Sequence, residues 1–162
     1  MYLDALSFLE DERDGFRAYE ALANLTDEQL ETPVAAAHGW SGRDLMGHIL
    51  FWQASALDSA RELAVNETSR TIDRLDAEWN ESADAGERIN EEALARYREM
   101  PLDELRAQFA AVAGELRGYL TVVPEARWIK HAKHQEWFFG ETTEHYDEHL
   151  ADLRAILAAA EA

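Results

Sequence analysis

Between Pro101 and Pro124, Leu102, Leu105, Phe109, Val112, Leu116 and Leu120 recur at alternating spacings of three and four, which sets one apolar face on an α-helix. Pro101 suits a first helical turn because its missing N–H has no partner there anyway, Asp103 and Glu104 favour the positive end of the dipole, and Pro124 stops the run. Such a helix holds its shape only with that face packed against others. The rest of the chain supplies partners. Leu6, Leu9, Phe16, Tyr19 and Ala23 share one side of a segment over about 3–24, with Asp11, Glu12 and Asp14 on the other. Thr26 caps a further turn reaching Leu30. Ser41-x-x-Asp44 has the form of a capping box and opens a second long helix over about 42–64, with Leu45, His48, Ile49, Trp52, Ala56 and Leu63 on one face.

Residues 66–100 are more polar and read as a crossover with short helices, whereas Thr121 to Gly140 reads as a connector, a length that in small domains commonly carries function. A last helix is expected from near Glu141, turning Thr142, His145, Tyr146, His149, Leu153 and Ile156 inward. No strand pattern and no internal repeat occurs. The expectation is one all-α domain over residues 1–162, a four-helix bundle.

Charge narrows the partners. Fifteen Lys and Arg stand against 33 Asp and Glu, a net charge of −18, which opposes the electrostatics that bind nucleic acid and anionic lipid. No nucleic acid and no membrane is expected as a partner; a small-molecule substrate is, with a homodimer left open. There is no apolar run long enough to span a bilayer and no basic leader at the start, so the location is read as cytoplasmic. The chain contains no cysteine; any thiol chemistry needs a thiol from outside.

Three of the six histidines stand where leucines belong. His48 shares its face with Leu45, Ile49 and Trp52, and His145 and His149 lie one turn apart in line with Leu153 and Ile156. An i, i+4 pair brings two imidazoles within reach of one ion, and burying three imidazoles is costly unless partners or a metal satisfy them. Counted from the expected helix starts, His48 lies at a height comparable to the pair. The set His48, His145 and His149 is the candidate metal site. Zinc or nickel is the first choice of divalent ion because imidazole suits both. Three protein ligands leave a position for water or substrate, and Glu148 and Glu144 are candidate bases.

His131 and His134 accompany Arg127, Lys130 and Lys133, which include the only two lysines. In so acidic a chain this cluster is a candidate anion site, and substrate recognition is expected in the connector 121–140, with Trp52 and Trp79 among the aromatic walls of the cavity.

The stretch HGWSGRDLMGHILFWQ, followed by ETTEHYDEH, resembles the DinB-like superfamily of metal-dependent helical proteins over about residues 2–160. The resemblance implies an up-down-down-up bundle with a long crossover between helices 2 and 3, and divalent-metal ligation at the positions of His48, His145 and His149. Relatives include mycothiol-dependent maleylpyruvate isomerase, bacillithiol-dependent transferases and small toxin-resistance proteins. The isomerase has a carboxylate at the position of His145. The resemblance thus implies transfer of a low-molecular-weight thiol, mycothiol or bacillithiol, to a small electrophile, the alternatives being metal-dependent hydrolysis and non-catalytic ligand binding.

Overall fold

A computed structural model describes all residues, Met1–Ala162, and contains helices and turns without a strand. Helix α1 (Ala5–Arg17) passes into a 3-10 segment (Ala18–Asn24), and α2 (Asp27–Glu31) is one short turn. The central α3 (Gly42–Val65) is followed by α4 (Arg70–Trp79), α5 (Ala85–Glu99) and α6 (Leu102–Leu120). Near the C-terminus α7 (Ala132–Phe139), a π-helical turn (Gly140–Glu144), α8 (His145–Glu148) and α9 (Leu150–Ala160) follow one another with little interruption.

The caps read from the sequence form. Ser41 and Asp44 make a reciprocal capping box at the start of α3, and Thr26 makes another with Gln29. Each satisfies donors that a helix start would otherwise leave bare. Asp44 is also held by Arg98 of α5 at 2.6 Å.

Helix α3 is buried on nearly every side, which requires small residues where neighbours press closest. At Gly47 a Cβ would stand 2.6 Å from Cβ of Tyr97 on α5; only glycine permits that approach. Two core clusters lie at the two ends of α3. Leu45 and Ile49, near its start, meet Phe16, Leu105, Phe109, Leu153 and Ile156. Leu57 and Leu63, near its end, meet Phe8, Leu116, Leu120, Trp128 and Phe138. Partner numbers thus rise along α3 for α6 and fall for α1 and the C-terminal run. Helices α3 and α6 therefore point the same way, and at 1.5 Å per residue the chain must travel back roughly 36 Å between them. Residues 66–101, through α4 and α5, make that return.

Two expectations fail. The first segment buries Phe16 and Tyr19 of the expected face, but Phe8, Glu12 and Leu22 are buried with them, whereas Leu6 is 65% exposed. Glu12 is fully buried because Arg117 meets it at 2.6 Å and the Tyr146 hydroxyl donates to it at 2.7 Å, a pairing that hydropathy hides. The connector 121–140 is also not a plain loop. Its second half is α7, so the last helical run starts at Ala132, not near Glu141. The start was hidden because its N-cap is His131, whose ring accepts from the His134 amide at 3.3 Å, outside the usual Ser, Thr, Asp or Asn.

Candidate metal centre

His48 comes from α3, and His145 and His149 from the two ends of the turn α8. The height count does not explain their meeting, since the C-terminal run begins earlier than expected. Opposite chain direction does: Gly42 lies against Ile156 and the far end of α3 against Phe138, so the middle levels match. One ligand atom from each ring lies within 4.8 Å of the others, and Nε2 of His48 is 2.9 Å from Nε2 of His145. Tetrahedral coordination by nitrogen at about 2.05 Å needs nitrogen separations of roughly 3.3 Å, so small side-chain adjustments fit an ion.

The chemistry of the rings points the same way. His48 and His145 are 3% and 7% exposed. Burial, reinforced for His48 by His149 and for His145 by both other rings, lowers their pKa values to about 3 and about 2. Both are neutral, as ligands must be. Their Nε2 atoms meet each other, while their Nδ1 atoms find no hydrogen-bond partner, so the bonding capacity of each ring is incompletely met at a buried position. His149 differs. Its Nδ1 meets Asp152 Oδ2 at 3.0 Å, the carboxylate–histidine arrangement that orients a ligating ring and leaves Nε2 free. Trp40 stacks on His149 at 5.5 Å, fixing its other face.

The three rings line a cavity of about 430 Å³ together with Trp52, Trp79, Trp137, Asp76, Asn90, Glu141, Glu144 and Glu148. Trp52 donates from Nε1 to Asn90 at 3.1 Å, tying α3 to α5 at the wall. The π turn Gly140–Glu144 immediately precedes His145; such turns recur at functional sites because they alter the direction of the following side chains. Burial, with Glu148 and Glu144 as like charges nearby, pushes the Glu141 carboxyl up to about 8.

Of the residues singled out from the sequence, His48, His145, His149, Trp52, Trp79, Glu144 and Glu148 come together here. Arg127, Lys130, Lys133 and His134 do not line this cavity. Arg127 pairs with Glu67 at 2.6 Å, Lys130 with Glu125, and Lys133 with Asp76 at 3.1 Å and Asp73 at 3.6 Å. His134 is buried with its Nδ1 2.6 Å from the Arg127 carbonyl. The cluster is neutralised by local acids, which a count of basic residues along the chain does not reveal. Asn90 and Asp152 were not legible as site residues; for Asp152 the only signal is a carboxylate three residues beyond His149.

An all-helical domain carrying a three-histidine group, two of its rings buried, beside an acidic, tryptophan-walled cavity is thus defined. The chain belongs to the mycothiol maleylpyruvate isomerase N-terminal domain family, within the DinB-like superfamily; the family model matches residues 11–145. That match takes in His48 and ends at His145. No curated protein and no solved structure gave a significant match. No helix is long and apolar enough to cross a membrane.

Proposed function

We propose that this protein is an up-down-down-up four-helix bundle enzyme that uses a divalent ion, zinc or nickel, held by His48, His145 and His149, to transfer a low-molecular-weight thiol to a small electrophile. One observation carries the reading: three imidazoles, two of them held neutral by burial, converge within 4.8 Å and open onto a cavity. Bound there, a divalent ion supplies Lewis acidity, lowering the pKa of a coordinated thiol or water. Asp152 holds the His149 ring in the tautomer that ligates. Trp52, Trp79 and Trp137 bind the apolar part of the substrate and exclude water, and Glu144 or Glu148 accepts the proton released by the nucleophile. The family description, which names mycothiol, and the absence of cysteine support an external thiol such as mycothiol or bacillithiol.

Hydrolysis is the second reading, favoured by Glu144 and Glu148 lining the cavity where a general base for water would stand. Metal analysis of purified protein, followed by turnover of small electrophiles with and without each thiol, tests both. Stoichiometric metal that is lost in His149→Ala, with turnover only when a thiol is added, is expected. Thiol-independent turnover abolished by Glu148→Gln selects hydrolysis. Protein that binds neither zinc nor nickel removes both readings.

A further inference from the structure

The cavity beside the histidines is lined by four carboxylates, Asp76, Glu141, Glu144 and Glu148, and by three indoles, with no lysine or arginine among its lining residues. Lys133 reaches Asp76 of this wall at 3.1 Å and is shared with Asp73 at 3.6 Å. Glu141, Glu144 and Glu148 succeed one another along the helical run, and the influences on Glu141 are burial and its two acidic neighbours, without a cation. With Lys133 set against Asp76 and Glu141 held largely protonated by burial and its acidic neighbours, the charges this wall itself presents are those of Glu144 and Glu148, both negative. An anionic substrate therefore finds no matched side chain in this wall.

The aromatic groups answer the same chemistry. Trp79 is 48% exposed, an unusual setting for so large a ring, yet it is fixed. Its ring edge meets Trp52 at a centroid distance of 5.8 Å, and it packs so closely on Gly86 that a Cβ there would stand 2.7 Å from the ring. The same indole borders a second cavity, which also shares Asn90 and adds Glu87 and Glu91; its one basic residue, Arg98, is paired with Asp44. Independent of the acids, the imidazoles of His48, His145 and His149 line the first cavity and bring one nitrogen each within 4.8 Å of the others, which marks it as a place for a ligand. An ammonium group against an indole face, with carboxylates around it, gains from both the ring quadrupole and the opposite charge.

We propose that the substrate of this cavity is a small organic cation bearing an ammonium group, recognised by Trp79, Glu144 and Glu148. The proposal deepens the functional reading above and rests on the cavity being the substrate site. It also reverses the sequence-based expectation of an acidic substrate held by Lys130 and Lys133.

Choline, its uncharged isostere 3,3-dimethylbutan-1-ol and the anion 3,3-dimethylbutanoate should be titrated into purified protein of measured metal content, by calorimetry or tryptophan fluorescence. Choline is expected to bind at least about tenfold more tightly than the alcohol, in the range that cation–π and charge contacts provide, and the anion most weakly. Raising salt should narrow the difference. Trp79→Ala, and separately Glu144→Gln with Glu148→Gln, should each remove most of the preference while helicity is retained. Choline binding no tighter than the alcohol, including binding of neither, overturns the proposal, as does full preference in Trp79→Ala. The metal measurement on the same sample judges the metal centre separately. A metal-bearing protein without cation preference defeats this inference alone, and a metal-free protein that prefers choline defeats the metal centre alone.

Discussion

Two adjacent residues, His145 and Tyr146, serve two buried polar groups that are built on opposite terms. Behind the cavity, the Tyr146 hydroxyl donates to Glu12 at 2.7 Å and accepts from Gln53 at 2.8 Å, Arg117 binds the other Glu12 oxygen at 2.6 Å, and Tyr19 donates to the Tyr146 carbonyl at 2.6 Å. Burial still raises the Glu12 carboxyl, but the guanidinium and the phenol act against that rise. This group joins α1, α3, α6 and α8 with its charges matched from within. On the other side of the same turn, His48 and His145 are nearly as deep, but they meet no counter-charge and their rings line an opening. The difference separates polar burial that fastens a fold from polar burial that waits for a ligand.

The largest expected effect lies in the first group. Arg117→Met leaves Glu12 buried without its counter-charge and should cost about 3 kcal/mol in urea unfolding. Should it cost no more than His149→Ala, the contrast between the two groups is wrong. For the histidines the loss should appear in binding instead. His149→Ala should weaken zinc or nickel affinity by more than about 100-fold, beyond what removal of a supporting group causes, while the unfolding midpoint of chelator-treated protein changes little.

Asp152→Asn sharpens the same point with a smaller change. The amide keeps the shape but not the charge behind His149, and metal affinity measured by competition with a chromophoric chelator should fall by about 10- to 100-fold. Unchanged affinity would mean that Asp152 only pairs with the surface, where His38 lies 3.8 Å away.

The last test is a pH dependence. In metal-free protein the Glu141 carboxyl is raised to about 8, above its unfolded value, so the unfolded chain loses its proton first. The stabilisation from this group is then complete below about pH 4.5 and is lost as pH rises through about 8. Glu141→Gln should therefore equal the parent near pH 4.5 and gain on it steadily as pH rises toward about 8. Denaturant melts across that range give the answer; a constant difference at all pH values would assign the effect to packing.

How much of this was legible in the sequence follows from the kind of interaction involved. The seam from Leu105 to Leu120 and the apolar face of α3 announce themselves through period, and Ser41 and Asp44 through local capping chemistry. His48, His145 and His149 were legible because imidazoles at apolar positions conflict with the pattern around them. Glu12 was misread for the converse reason. A buried carboxylate is explained only by Arg117, 105 residues away, and no local pattern predicts that. Asp73 and Asp76, the acids that offset Lys133, likewise become its neighbours only through folding, whereas Glu125 stands five residues before its partner Lys130 and was open to a sequence reading.

The π turn at Gly140–Glu144 makes the C-terminal run act like a shaft with a fixed angular offset at its coupling. Upstream, Phe138 belongs to the core cluster at one end of α3; downstream, Leu153 and Ile156 belong to the other. Deleting one residue from the coupling would favour ordinary helical winding and rotate one half against the other by about 100°. The core could be served by either half, but Trp137 and Glu141 would then no longer share an azimuth with His145 and His149. In lineage terms, the timing between the cavity wall and the histidines is set by the length of five residues, so an insertion or deletion there is a more severe event than most substitutions within it.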